Sequence, residues 1–146
     1  KEFFDHLADV RAAVKNDREI LRAIHFFKEN ARVPQIVEAL NNDDFDLFKK
    51  LIKESGNSSY KFLQNVYADF DYKHQAVSAG LALSEIVLGD HGVSRVHGGG
   101  FAGTIQAFVE DDYVETYKNE IEKLFGEGSC HVLKVRKLGG CKVVEE

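Results

Sequence analysis

Arg95-Val96-His97-Gly98-Gly99-Gly100-Phe101-Ala102-Gly103-Thr104 places four glycines among six residues, wedged between apolar segments. So few side chains let a backbone approach a neighbour closely or take positive φ angles. Gly98, Gly100 and Gly103 fit the spacing G-x-G-x-x-G, and the context decides what that spacing means. A dinucleotide-binding loop runs from a strand into a helix whose N-terminus meets the pyrophosphate. Here β-forming residues lie on both sides: Val93 to Val96 before the loop, and Thr104-Ile105-Gln106-Ala107-Phe108-Val109 after it. A Walker loop is excluded because no Gly-Lys-Ser/Thr follows. What remains is a strand–loop–strand turn with two open readings. It is either a tight connection against a helix or a set of amides forming an anion-accepting concavity.

Downstream of that turn, Glu110-Asp111-Asp112 puts acidic residues at a helix start, where the dipole favours them. Val114, Tyr117, Ile121 and Leu124 form the apolar stripe of the helix, and Gly126 ends it. Cys130 to Val135 reads as another strand and Lys142 to Val144 as a short last one. Upstream the pattern is helical. Phe3, Phe4, Leu7, Val10 and Val14 make a first stripe. Asn16 caps a new helix with Glu19 at the capping-box position, and Ile20, Leu21, Ile24, Phe27 and Ala31 follow at helical spacing. Pro34, the only proline, suits the first turn of a further helix burying Ile36, Val37 and Leu40. Asn41 to Asp44 form a turn and cap. Phe45, Phe48, Leu51 and Ile52 then mark a helix ending near Gly56. Asn57-Ser58-Ser59 reads as the cap of a short helix containing Phe62, Leu63 and Val66. A longer helix runs from Tyr72 to Leu88, with Val77, Leu81 and Ile86 buried and Gly89 closing it. The expected fold is α+β: one domain, residues 1–146, with a helical first half. Its helices cover one face of a small, mostly antiparallel sheet with a ferredoxin-like β-loop-β-α-β tail.

Composition narrows the function classes. With 44% hydrophobic and 29% charged residues the chain is globular rather than disordered. A net charge of −5 argues against nucleic acid as the main partner. No apolar run approaches the about 20 residues of a membrane span, and the N-terminal stretch lacks the pattern of a signal peptide. Cys130 and Cys141 are too few for a disulfide scaffold and lack zinc spacing, so they read as reduced thiols of a cytoplasmic protein. The chain contains no methionine, which suggests a domain cut from a longer polypeptide.

Several ordered motifs carry a resemblance. The glycine run resembles the third motif of the GHMP sugar and metabolite kinases, read in galactokinases as Arg-Met-Thr-Gly-Gly-Gly-Phe-Gly-Gly-Cys. Arg95, Gly98, Gly99, Gly100, Phe101 and Gly103 match it; Val96, His97, Ala102 and Thr104 depart. Arg22-Ala23-Ile24-His25, Glu29-Asn30 and Arg32-Val33 are similar to the family's Arg-Ala-x-His…Glu-Asn-x-Arg-Val helix. Ala39-Leu40, Asp44-Phe45 and Phe48 follow in step. Glu54 to Ser59 resembles Glu-Ser-His-x-Ser-Leu, with Gly56 for histidine and Ser59 for leucine. The next family stretch, Arg-Asp-Asp-Tyr-Glu-Val-Ser, has no counterpart in Tyr60 to Tyr67. The likeness covers about residues 18 to 136.

The resemblance implies the C-terminal domain of a galactokinase, of the GHMP kinase type. The parent would transfer the ATP γ-phosphoryl group to galactose with Mg2+. The family's sugar-recognition motif, its Pro-x-x-x-Gly-Leu-Ser-Ser-Ser phosphate loop and its catalytic aspartate are not in this sequence. The chain alone is therefore expected to be inactive, with no catalytic residue, metal or bound ATP of its own. Gly98, Gly99, Gly100, Phe101, Ala102 and Gly103 are the cleft loop, packing under the N-terminal phosphate loop. Arg95, His97 and Ser58 are possible contacts. On chemistry alone Arg95 reads as a strand-end salt bridge, His97 as a hydrogen-bonding residue, Ser58 as a helix cap and His25 as a satisfied core histidine. Family domains complete their sheet with a strand preceding these helices, so its loss would expose an edge or apolar patch and invite self-association. Two alternatives stand beside this: a GHMP kinase for another sugar, and a non-catalytic small-sheet ligand-binding or regulatory module.

Overall fold

A computed structural model describes residues 2–101 and 103–135. The chain opens with α1 (Glu2–Asp5) and α2 (Leu7–Val14), followed by the long α3 (Asp17–Asn41) and α4 (Phe45–Ser58). A π-helical turn (Ser59–Leu63) leads through an irregular stretch to α5 (Ala76–Leu88). Strands β1 (Gly92–Val96) and β2 (Ile105–Val109) flank the glycine loop. A 3-10 turn (Asp111–Tyr113) then enters α6 (Val114–Phe125).

The two strands pair antiparallel, with Val93 opposite Phe108 and Val96 opposite Ile105. Successive strand residues face opposite sides, and the core follows that alternation. Val93 and Phe108 pack on Phe48, Leu51 and Ile52 of α4 and Ala39 of α3. Val96 and Ile105 pack on Val66 and Val77, and Ala107 and Val109 pack near Leu88, Tyr117 and Ile121. Helices therefore cover both faces of the ribbon, α3 and α4 on one and α5 and α6 on the other. This corrects the one-face expectation. The class itself, α+β with a small antiparallel sheet, is as the sequence implies.

Several boundaries shift. Asn16 does cap α3, accepting from the amides of Arg18 and Glu19, while its amide donates to Glu19 at 2.7 Å. Pro34 does not begin a helix; it lies inside α3, which runs unbroken to Asn41. Proline removes one intrahelical donor and crowds the preceding turn. The carbonyl so deprived is that of Asn30; the next one, of Ala31, accepts from the Gln35 side chain at 2.7 Å. Val37 and Leu40, expected inside, are exposed, and Arg32 and Ala39 are buried in their place. Asp44 caps α4 through the Leu47 amide at 2.9 Å. Beyond it, α4 does not stop near Gly56. It continues into the π turn, where the Gln64 amide reaches back five residues to the Ser59 carbonyl.

α5 begins at Ala76 rather than Tyr72, and Ile86 is exposed because it lies on the solvent side of a helix that buries Val77, Gly80, Ser84 and Leu88. The segment Cys130 to Val135 is not a strand. Its residues pair with no described strand, and Leu133 and Val135 are 86% and 91% exposed. β-forming composition makes a strand only where a neighbouring edge accepts it. Among the described residues the tail is thus β-loop-β-α. Lys142 to Val144 and Cys141 lie outside them.

Candidate functional site

β1 and β2 continue their ladder one step past Val96, with the His97 amide donating to the Thr104 carbonyl at 3.1 Å. The loop between them turns on a Gly100 amide to His97 carbonyl bond of 3.3 Å. Gly98, Gly100 and Gly103 have φ of 58°, 73° and 83°, and Phe101 also lies in the left-handed region at 52°. A residue with a Cβ is strained there by about 1–2 kcal/mol, so something must hold Phe101.

Asn65 holds it. The π turn ends on Gln64 in the left-handed conformation, and the sharp bend carries Asn65 beneath the loop, where it is 1% exposed. Its backbone carbonyl accepts the Phe101 amide at 2.9 Å, and its side-chain Nδ2 donates to the Gly99 carbonyl at 3.1 Å. Gly100 lies directly over it: a Cβ at that position would be 2.1 Å from the Asn65 carbonyl oxygen. Only glycine meets both the φ and the approach. Sequence reasoning missed Asn65, whose segment has no periodicity to mark it.

The other loop glycines differ. Around Gly98, Gly99 and Gly103 an added Cβ meets no atom within 4 Å. The φ of Gly98 and Gly103 still favours glycine, whereas Gly99 is outside the left-handed region. The amides of Gly100 and Phe101 are spent inside the protein, which leaves Gly98 and Gly99 as the outward part of the loop. Ala102 lies outside the described residues.

Arg95 turns away from the loop. It donates to Ser55 Oγ at 2.6 Å and to the Val96 carbonyl at 3.2 Å, and pairs with Glu29 at 3.5 Å. Ser55 and the buried Arg32 both engage Glu29, and Arg32 also reaches Glu54 at 3.8 Å. This knot joins α3, α4 and β1. Gly56 permits it, since a Cβ there would sit 3.1 Å from that of Arg95. Ser58 makes no capping bond. It is buried, with His25 Nδ1 3.0 Å from its hydroxyl, because the helix it was expected to cap continues through it. His97 is exposed at the loop entrance.

The acidic run beyond β2 is structural at its first residue. His91 hydrogen-bonds Glu110 at 2.9 Å and Lys49 lies 3.6 Å away, which together hold the carboxyl below its usual value despite some desolvation. Burial pushes the Tyr117 phenol and the Cys130 thiol up. No group of three or more His, Cys, Asp or Glu among the described residues is placed to hold a metal ion. A cleft of about 490 Å³ opens between α4, α5 and β1, reaching Arg95 and Gly56 but none of the loop residues.

No protein-family model matches the chain. Curated relatives do. A galactokinase of Actinobacillus pleuropneumoniae is 31% identical over 115 residues, covering 79% of this chain and 28% of the relative. One from Haemophilus influenzae is 34% identical over 100 residues, covering 68% and 24%. One from Staphylococcus carnosus is 32% identical over 112 residues, covering 77% and 27%. This chain resembles part of a galactokinase. It spans about a quarter of the length of those galactokinases, so the glycine loop and its Asn65 support are features of a galactokinase-like segment.

Proposed function

We propose that this chain is the C-terminal part of a galactokinase-like sugar kinase. The whole protein transfers the γ-phosphoryl group of ATP to galactose: the sugar hydroxyl oxygen bonds to phosphorus, ADP leaves, and a base takes the hydroxyl proton. Such chemistry rests on positioning and charge neutralisation. The described residues offer no metal-ligand cluster, and the sequence has no phosphate loop, so this reading assigns Mg2+, the ATP phosphates and the base to the part outside the chain. This chain shapes one wall of the cleft.

Gly99 carries the reading. Among the described residues nothing requires glycine there: its φ is unexceptional and a Cβ would meet open space. An absent side chain with no internal reason supports close approach by something external. The phosphate loop of the other lobe suits that space. The reading also makes the protein cytoplasmic; no described helix is long and apolar enough to cross a membrane.

Incubated alone with Mg2+, ATP and galactose, the chain forms no galactose 1-phosphate. Joined to an N-terminal lobe that carries the family's phosphate loop, it does. Appreciable turnover by the chain alone, or none by the joined protein on any sugar, would overturn the proposal. Turnover only of a different sugar would reassign the substrate within the GHMP kinases.

A further inference from the structure

We infer that Asn65 is the positioning residue of the glycine loop, setting the conformation in which Gly98, Gly99 and the Phe101 ring are presented. Asn65 contacts three consecutive loop residues. Its side-chain amide donates to the Gly99 carbonyl, its backbone carbonyl accepts the Phe101 amide, and Gly100 lies against both. The first two contacts bracket Gly100, and together they hold Phe101 in the left-handed region that a residue with a Cβ otherwise avoids.

The other half of the Asn65 amide shows what the residue is for. Its Oδ1 is buried and, among the described residues, has no hydrogen-bond partner. Burying an acceptor in that state opposes folding. Rotating the amide would not relieve it, because Oδ1 would then face the Gly99 carbonyl, acceptor against acceptor. A leucine of similar shape would bury no orphan acceptor of its own, and the residue that follows, Val66, belongs to an apolar cluster with Val77 and Val96. The amide's donor half is what the fold uses: among the described residues it goes to the loop, at the Gly99 carbonyl.

The importance of loop placement for catalysis rests on the galactokinase reading; the clamp itself does not. The experiment is therefore made on this chain, by NMR. In the wild type the Phe101 amide exchanges at least tenfold more slowly than those of Gly98 and Gly99. Asn65→Leu removes the donor to the Gly99 carbonyl but keeps the backbone carbonyl that accepts the Phe101 amide. It therefore narrows that difference and shifts the Gly98 to Gly103 resonances, while the His97 and Glu110 amides, bonded at the two ends of the ladder, stay protected. Gly100→Ala, whose methyl group would press on that backbone carbonyl, abolishes the difference and shifts the same resonances. It also carries the test if Asn65→Leu does not fold. Val77→Ala, in the apolar cluster that contains Val66, the residue after Asn65, lowers Tm without moving the loop resonances. Wild-type loop exchange in either clamp variant, or loop changes no larger than those of Val77→Ala, would overturn the assignment. A failed sugar-kinase assay would leave it standing.

Discussion

At the scale of single residues, Gly99 and Gly100 are neighbours with opposite reasons for being glycine. Gly100 is required by the fold, since a methyl group would meet the Asn65 carbonyl and a left-handed φ at once. Gly100→Ala is expected to cost upwards of about 2 kcal/mol, the left-handed strain plus the lost contact. Gly99→Ala is expected to be neutral or to stabilise by about 0.4–1 kcal/mol, through the unfolded chain's lost freedom. On the proposed function, however, Gly99→Ala in the whole protein should depress phosphoryl transfer. Urea denaturation of the two variants separates the cases, and equal destabilisation would sink the distinction. The glycine run was legible as a special loop, but which glycine served which purpose was not, because the answer depends on Asn65, thirty-five residues away. Arg95 was legible only as a type of interaction. Its partners Glu29 and Ser55 lie on two helices whose faces the sequence does not order. Cys130 yields a separate expectation: burial raises its thiol, so at neutral pH it should react with alkylating reagents more slowly than a small free thiol.

At the scale of elements, the caps at Asn16 and Asp44 and the stops at Gly89 and Gly126 were legible, whereas the start at Pro34 and the cap at Ser58 were not. The buried faces of α4 and α6 were legible and that of α3 was not. Asn16 and Asp44 cap their helices because their side chains outcompete water for the free first-turn amides. Asp44→Ala should therefore lower stability by about 1 kcal/mol, read from chemical denaturation. The family stretch missing after Ser59 coincides with the π turn. The face of α3 turned to α4 is His25, Glu29, Arg32, Ile36 and Ala39, largely polar, and apolar periodicity passes it over. A second junction carries a pH dependence. Glu110 ties the turn before α6 to His91 ahead of β1 and to Lys49 of α4. Its carboxyl is depressed in the folded state, chiefly by the His91 hydrogen bond. The stabilisation is thus present above the ordinary carboxylate pKa of about 4.3 and is lost as pH falls through the lower folded value. Glu110→Gln should melt below wild type at pH 7, with the gap closing on acidification toward pH 3. A gap that widened in acid would refute this account.

At the scale of the molecule, α3 is turned inside out relative to a surface helix. Its polar stripe is packed against α4, and Phe26, Val33, Val37 and Leu40 are exposed by 58%, 52%, 51% and 46%. These four recur at spacings of seven, four and three, the pattern of a helix that packs along another helix. Among the described residues the fold thus leaves open a stripe that water does not favour, on a chain that matches about a quarter of the length of the galactokinases it resembles. We propose that, in the isolated chain, a second copy covers it, α3 against α3. No charge interrupts the stripe, so two copies can meet there despite a net charge of −5. Sedimentation across micromolar concentrations should show reversible self-association that persists in high salt, since apolar burial rather than ion pairing drives it. Introducing Val33→Glu and Val37→Glu together should return the chain to monomer with its helicity unchanged. A strict monomer in the wild type over that range, or association indifferent to the two glutamates, would mean that this stripe is not where copies meet.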